Sequence, residues 1–160
     1  ARHVGVPLAH AVSALSTFQG VKRRMELICR AGVINIYDDF AHHPTAIQTT
    51  LLGLRARVGQ DKVIAVIELG SYTMRGGEHA ERLSEAVREA DQVIWFQPRD
   101  VAFDIQAVVQ ETSANLVHSA DALLALLAPQ FDAQVKATHL VLMSNYQLDG
   151  FRELITERYG

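Results

Sequence analysis

Lys62-Val63-Ile64-Ala65-Val66-Ile67-Glu68-Leu69 carries an unbroken apolar run between a lysine and a glutamate. A strand with one face in water alternates polar and apolar residues. A strand without that alternation is covered on both faces, as in a parallel sheet between layers of helix. The same apolar character returns at residues 92–96 and 138–143, and more briefly at 115–118. Helical patterns fill the gaps. Residues 44–58 put Ile47, Leu51, Leu54 and Val58 on one stripe, and residues 78–90 do so with Leu83, Val87 and Ala90. Further helices are predicted at 104–110, 120–128 and 149–159. Strand alternating with helix implies right-handed crossovers. The predicted fold class is therefore α/β, a three-layer Rossmann-like domain with a mostly parallel sheet.

Upstream, extended runs at 25–29 and 33–40 flank Ala31-Gly32 and predict an N-terminal β-hairpin. Before them, residues 7–18 read as a helix with Pro7 in its first turn and Leu8, Val12 and Leu15 on one face. Gln19-Gly20 ends it, and the one domain boundary is expected near Gly20. Ala1-Arg2-His3-Val4-Gly5 has neither an initiator Met nor a signal-peptide pattern, and reads as a cut inside a longer protein.

Composition narrows the function classes. The 160 residues are 49% hydrophobic and 21% charged, with formal net charge −3. That balance excludes a general nucleic-acid binder, which needs a basic excess. No apolar run is long enough to span a bilayer. Cys29 is the only cysteine, so neither an internal disulfide nor a cysteine metal cage can form.

The segment richest in chemistry is Tyr37-Asp38-Asp39-Phe40-Ala41-His42-His43-Pro44-Thr45. A strand ends in two carboxylates, two imidazoles follow, and Pro44 opens a helix. Adjacent strand residues point to opposite faces, so one aspartate at most faces a ligand. Ligands of open α/β sheets bind beyond the carboxyl ends of strands, and a helix start favours an anion such as phosphate. The structural alternative is that the aspartates solvate a strand end and the histidines cap the helix. Consecutive residues rarely converge on one ion, so no metal site is assigned.

Three further loops are candidates. Gly20-Val21-Lys22-Arg23-Arg24-Met25-Glu26 is either a solvated basic turn or an arginine fork aimed at a nucleotide. Gly70-Ser71-Tyr72-Thr73-Met74-Arg75-Gly76-Gly77 follows a buried strand, as ligand loops do, yet lacks a phosphate-loop pattern. Ser144-Asn145-Tyr146-Gln147 closes the last strand, either as a polar turn or as a binding loop. Trp95 is read as core, and His3, His10, His79, His118 and His139 as surface or supporting groups.

Taken together, Gly20 to Glu26 and Asp38 to Thr45 resemble the third domain of the Mur ligases. Members carry Gly-Val-x-Arg-Arg-x-Glu and, about fifteen residues on, Asp-Asp-aromatic-small-His-His-Pro-Thr. The segment Asp38 to Ile47 most resembles members that join a murein tripeptide to UDP-N-acetylmuramate. Ser71, Thr73, Met74, Gln97-Pro98 and Met143-Ser144-Asn145 point the same way. Two loops depart from that pattern, at Gly70, where an arginine is usual, and at Tyr146-Gln147, where Gly-Gly is usual.

The resemblance implies a bacterial cytoplasmic ligase of peptidoglycan recycling, in which ATP activates the muramyl carboxylate and the peptide amine attacks. Residues 1–20 would end the preceding central domain, and 21–160 would form the C-terminal domain that contacts it. ATP and Mg2+ would be held mainly by the central domain. On this chain Arg24 and Asp39 would reach ATP. His42 and His43 would face phosphate or substrate, and Ser71 and Asn145 would contact the peptide. No catalytic residue is assigned. The alternatives are a UDP-N-acetylmuramate–L-alanine ligase domain and a stand-alone Rossmann-type metabolite-binding module.

Overall fold

A computed structural model describes every residue except 1, 19, 71, 78, 100–103, 134 and 135, with backbone alone at 72 and 73. Helix α1 (Leu8–Ser16) precedes the hairpin β1 (Glu26–Ala31) and β2 (Ile34–Asp39). Then follow α2 (Pro44–Val58), β3 (Lys62–Glu68), the short α3 (Tyr72–Arg75), α4 (Ala80–Ala86) and β4 (Gln92–Phe96). The chain ends with α5 (Gln106–Glu111), β5 (Asn115–Val117), α6 (Ala120–Ala133), β6 (Thr138–Met143) and α7 (Phe151–Tyr159). The strands form a single sheet in the order β1-β2-β6-β3-β4-β5. β1 is antiparallel to β2, with a bulge between Leu27 and Cys29, and every other pairing is parallel.

Successive residues of each central strand serve opposite layers. Val63, Ala65, Ile67, Val141 and Met143 pack with Ile47, Leu51 and Leu54 of α2 and Leu83 of α4. Ile64, Val66, Leu140 and Leu142 pack with Leu123 and Phe131 of α6 and Phe151 and Ile155 of α7. This is why the run at 63–67 has no polar alternation: both faces are covered. Trp95 is fully buried, as read from the sequence.

Several helix bounds differ from the sequence reading, each for a local reason. The helix predicted at 120–128 runs through Pro129 to Ala133, because the buried Phe131 anchors the extra turn. The helix predicted at 78–90 is regular only over Ala80–Ala86. Beyond it Arg88 and Ala90 bond three residues back, to Glu85 and Val87, which tightens the last turn. The final helix starts at Phe151, after a 3-10 turn at Leu148–Gly150. Among the described residues no helix is long and apolar enough to cross a membrane.

Strand β6 enters between β2 and β3. Chain leaving β3 turns to the α4 face, and chain leaving β6 turns to the α7 face. Their carboxyl ends therefore part, which is where open α/β sheets hold ligands.

Candidate functional site

At the end of β2, Asp38 and Asp39 are both buried and turn opposite ways. Asp39 accepts from the Met25 and Ala41 backbone amides, each at 2.8 Å, and from Thr50 Oγ1 of α2 at 3.4 Å. Its carboxylate thus ties the basic loop to the start of the next segment. Asp38 turns to the other face and accepts from Arg23 Nε at 3.1 Å and Arg152 Nε of α7 at 2.7 Å.

The basic loop is bent by backbone that side chains rarely adopt. Arg23 and Met25 have φ of 56° and 49°. The bend is held by Glu26 accepting from the Arg23 amide at 2.8 Å, and by Arg23 O accepting from the Phe40 amide at 2.8 Å. The Arg23 and Arg24 guanidinium carbons lie 5.1 and 5.4 Å from the Phe40 ring centre, a cation–π distance. Arg24 is exposed, while Arg23 is turned inward to Asp38.

The histidines follow at once. His42 Nδ1 lies 2.8 Å from Phe40 O, and its ring meets Phe40 edge-on at 5.3 Å. His43 caps α2, its Nδ1 accepting from the Thr45 amide at 3.4 Å. His79, read from the sequence as a surface or supporting group, stands 4.4 Å from His43 ring to ring. Arg82 Nη2 donates to Thr45 Oγ1 at 3.3 Å. Burial, and then the nearby His79, Arg82 and His42, push the His43 pKa below its ordinary value of 6.5. Arg24, Asp39, His42 and His43 are thus gathered at one corner. Of the four, Arg24 and the two half-buried imidazoles have side-chain surface to offer an anion, while both Asp39 oxygens are engaged with the protein.

A second feature lies at the parted strand ends. A cavity of about 550 Å3 opens beyond β3, β4, β5 and β6. Arg75 and Arg99 bring positive charge to its lining, Glu68 and Asp149 negative charge, and Phe96 and Tyr146 apolar surface. Glu68 is buried and accepts from Ser144 Oγ, and from the Leu148 amide at 3.1 Å. That bond holds Leu148 and Asp149 at φ of 50° and 54°, strained backbone of the kind found at ligand sites. His118 also lines the cavity, its Nδ1 2.9 Å from Gln97 O.

Asn145 stands at the edge of this loop, half-buried, with a buried Oδ1 that takes no hydrogen bond from the described residues. Ser71, the remaining sequence candidate, lies outside the described residues. Sequence reasoning missed Glu68, Asp149 and Arg152, and placed Arg75 in a candidate loop without giving it a role. Glu68 did carry a signal, as a lone carboxylate ending a buried strand. Arg152 carried none, since its partner Asp38 is 114 residues away. Among the described residues no group of three His, Cys, Asp or Glu converges to cage a metal.

The family profile described as Mur ligase, glutamate ligase domain, matches residues 23–144. A UDP-N-acetylmuramate–L-alanyl-γ-D-glutamyl-meso-2,6-diaminoheptandioate ligase of Haemophilus influenzae is 33% identical over 165 residues, which is 99% of this chain and 35% of that protein. The Escherichia coli protein of the same description is 36% identical over 158 residues, covering 98% and 34%. A crystal structure of a murein peptide ligase from Psychrobacter arcticus superposes with a TM-score of 0.76 at 32% identity, covering 99% of this chain and 34% of that one. The chain thus spans about a third of the length of the curated relatives it matches.

Proposed function

Because this chain belongs to the Mur ligase family through its glutamate ligase domain, we propose that it is the C-terminal domain of an ATP-dependent ligase joining a murein tripeptide to UDP-N-acetylmuramate. Residues 21–160 form that domain, and residues 1–20 end the central domain before it. The observation that carries the acceptor side is the cavity at the strand ends. Arg75 and Arg99 set against Glu68 and Asp149 suit an acceptor that bears both carboxylate and ammonium groups.

ATP and Mg2+ are held mainly by the central domain, and this chain closes over them. Arg24 is the exposed cation of the β2 corner and fits an anionic nucleotide. Asp39 serves the nucleotide by fixing the Met25 backbone beside Arg24. His42 and His43, at the start of α2, face phosphate or substrate, where the helix terminus favours negative charge. Ser71 and Asn145 face the peptide. A buried amide oxygen such as Asn145 Oδ1 can take an N–H from the incoming amine. Closure of such a lid excludes water from an activated carboxylate and leaves the amine as the nearest nucleophile.

Initial rates of the full-length enzyme with L-alanine and with L-alanyl-γ-D-glutamyl-meso-diaminopimelate test this reading. The tripeptide should give the higher kcat/KM by at least about a hundredfold, near 2.7 kcal/mol of transition-state preference. Preference for L-alanine would assign the domain to the alanine-adding ligases instead.

A further inference from the structure

Gly70 has no backbone reason to be glycine, because its φ lies outside the left-handed region that six other glycines of the chain occupy. What it lacks is room. A Cβ at residue 70 would stand 2.5 Å from Tyr146 Cδ2 and 3.1 Å from Cε2. The phenol ring therefore rests directly against the Gly70 backbone.

Tyr146 is 48% exposed, yet its main chain is fastened at both ends. Its amide donates to Ser144 Oγ at 2.8 Å. Its carbonyl accepts from Arg23 Nη2 at 3.1 Å and from Arg152 Nη1 at 2.8 Å. Both arginines are held in turn by the buried Asp38. A half-exposed ring on so fixed a backbone is a wall of the cavity it lines. The Gly70 carbonyl also accepts from Arg75 Nε at 2.9 Å, so the same residue seats the ring and steadies a cavity guanidinium.

We propose that Gly70 and Tyr146 form a matched pair that sets acceptor specificity in this cavity. The inference rests on the ligase reading and goes beyond it. The ring gives the methylene stem of the acceptor an apolar wall, while Arg75 takes a carboxylate at the end of that stem. Each methylene released from such a wall weakens binding about fourfold. The pair is a binding device, so its loss acts on KM more than on kcat.

The test uses the full-length enzyme with ATP, UDP-N-acetylmuramate and the tripeptide, and four variants: Tyr146→Ala, Tyr146→Phe, Gly70→Ala and the double Gly70→Ala/Tyr146→Ala. Tyr146→Ala and Gly70→Ala should each raise the tripeptide KM about tenfold while kcat falls less than threefold. Tyr146→Phe, which keeps the ring, should recover most of the loss. The double variant should match Tyr146→Ala alone, because a Cβ at 70 is harmless once the ring is gone. Unaltered KM in Tyr146→Ala, or a double variant whose losses multiply, would overturn the pair and leave the ligase reading standing. A wild-type enzyme that ligates no peptide would overturn both.

Discussion

Asp38 and Asp39 leave the end of β2 toward opposite faces, and each carboxylate holds a different piece of chain. The alternation of a strand made that divergence legible in the sequence; the identity of the partners was not legible, because Arg152 and Thr50 reach the two aspartates through tertiary packing alone. His43 shows the same division. Pro44 after it marked a helix cap, and the cap bond to Thr45 is formed, but the approach of His79 from the next strand–helix unit left no local trace. The cap bond requires a neutral ring, and burial together with His79, Arg82 and His42 lowers the folded-state pKa below 6.5. The unfolded chain therefore takes up the proton first as pH falls. Stability from this group is fully present above about pH 6.5 and is lost as pH drops toward the lower folded value. Urea unfolding from pH 8 to 5 should show that loss, and His43→Asn, which keeps a cap acceptor without titrating, should flatten the slope while staying within about 1 kcal/mol at pH 8. An unchanged slope would mean that His43 does not titrate against these neighbours.

Among the elements, the apolar run at 63–67 gave away the parallel sheet because a strand covered on two faces leaves no polar register to hide it. Helix α2 runs over the predicted residues 44–58 because its stripe packs on the sheet. Helix α1 also forms where periodicity placed it, but its stripe is left open among the described residues: Leu8, Val12 and Leu15 are 72%, 56% and 71% exposed. Periodicity reports that a face is apolar and is silent on what meets it. In the proposed enzyme that face belongs with the central domain. Removing residues 1–20 should then shift the unfolding free energy of the remaining chain by no more than about 0.5 kcal/mol, as for surface changes. A loss of about 2 kcal/mol or more in chemical denaturation would show that α1 is part of this domain's core.

For the molecule as a whole, the two layers on the sheet are complete between β2 and α7, with apolar side chains buried on both faces. The corner at the end of β2, proposed to face the nucleotide, is different in kind. Arg24 is its exposed cation, with the His42 and His43 imidazoles beside it, and among the described residues no metal cage accompanies them. The sequence made that corner recognisable through two motifs and named the loops at 70–77 and 144–147, while the cavity they help to line was hidden because its walls gather from the chain beyond four separate strands. Titration of the 160-residue chain with ATP and Mg2+, followed by amide NMR, tests most directly whether this is a lid. A lid edge should bind with a dissociation constant in the millimolar range, about 4 kcal/mol, with shifts centred on Arg24, Phe40 and His43 and no phosphate release above background. Micromolar affinity, or turnover of ATP by the chain alone, would contradict the account and make the corner a self-sufficient nucleotide site.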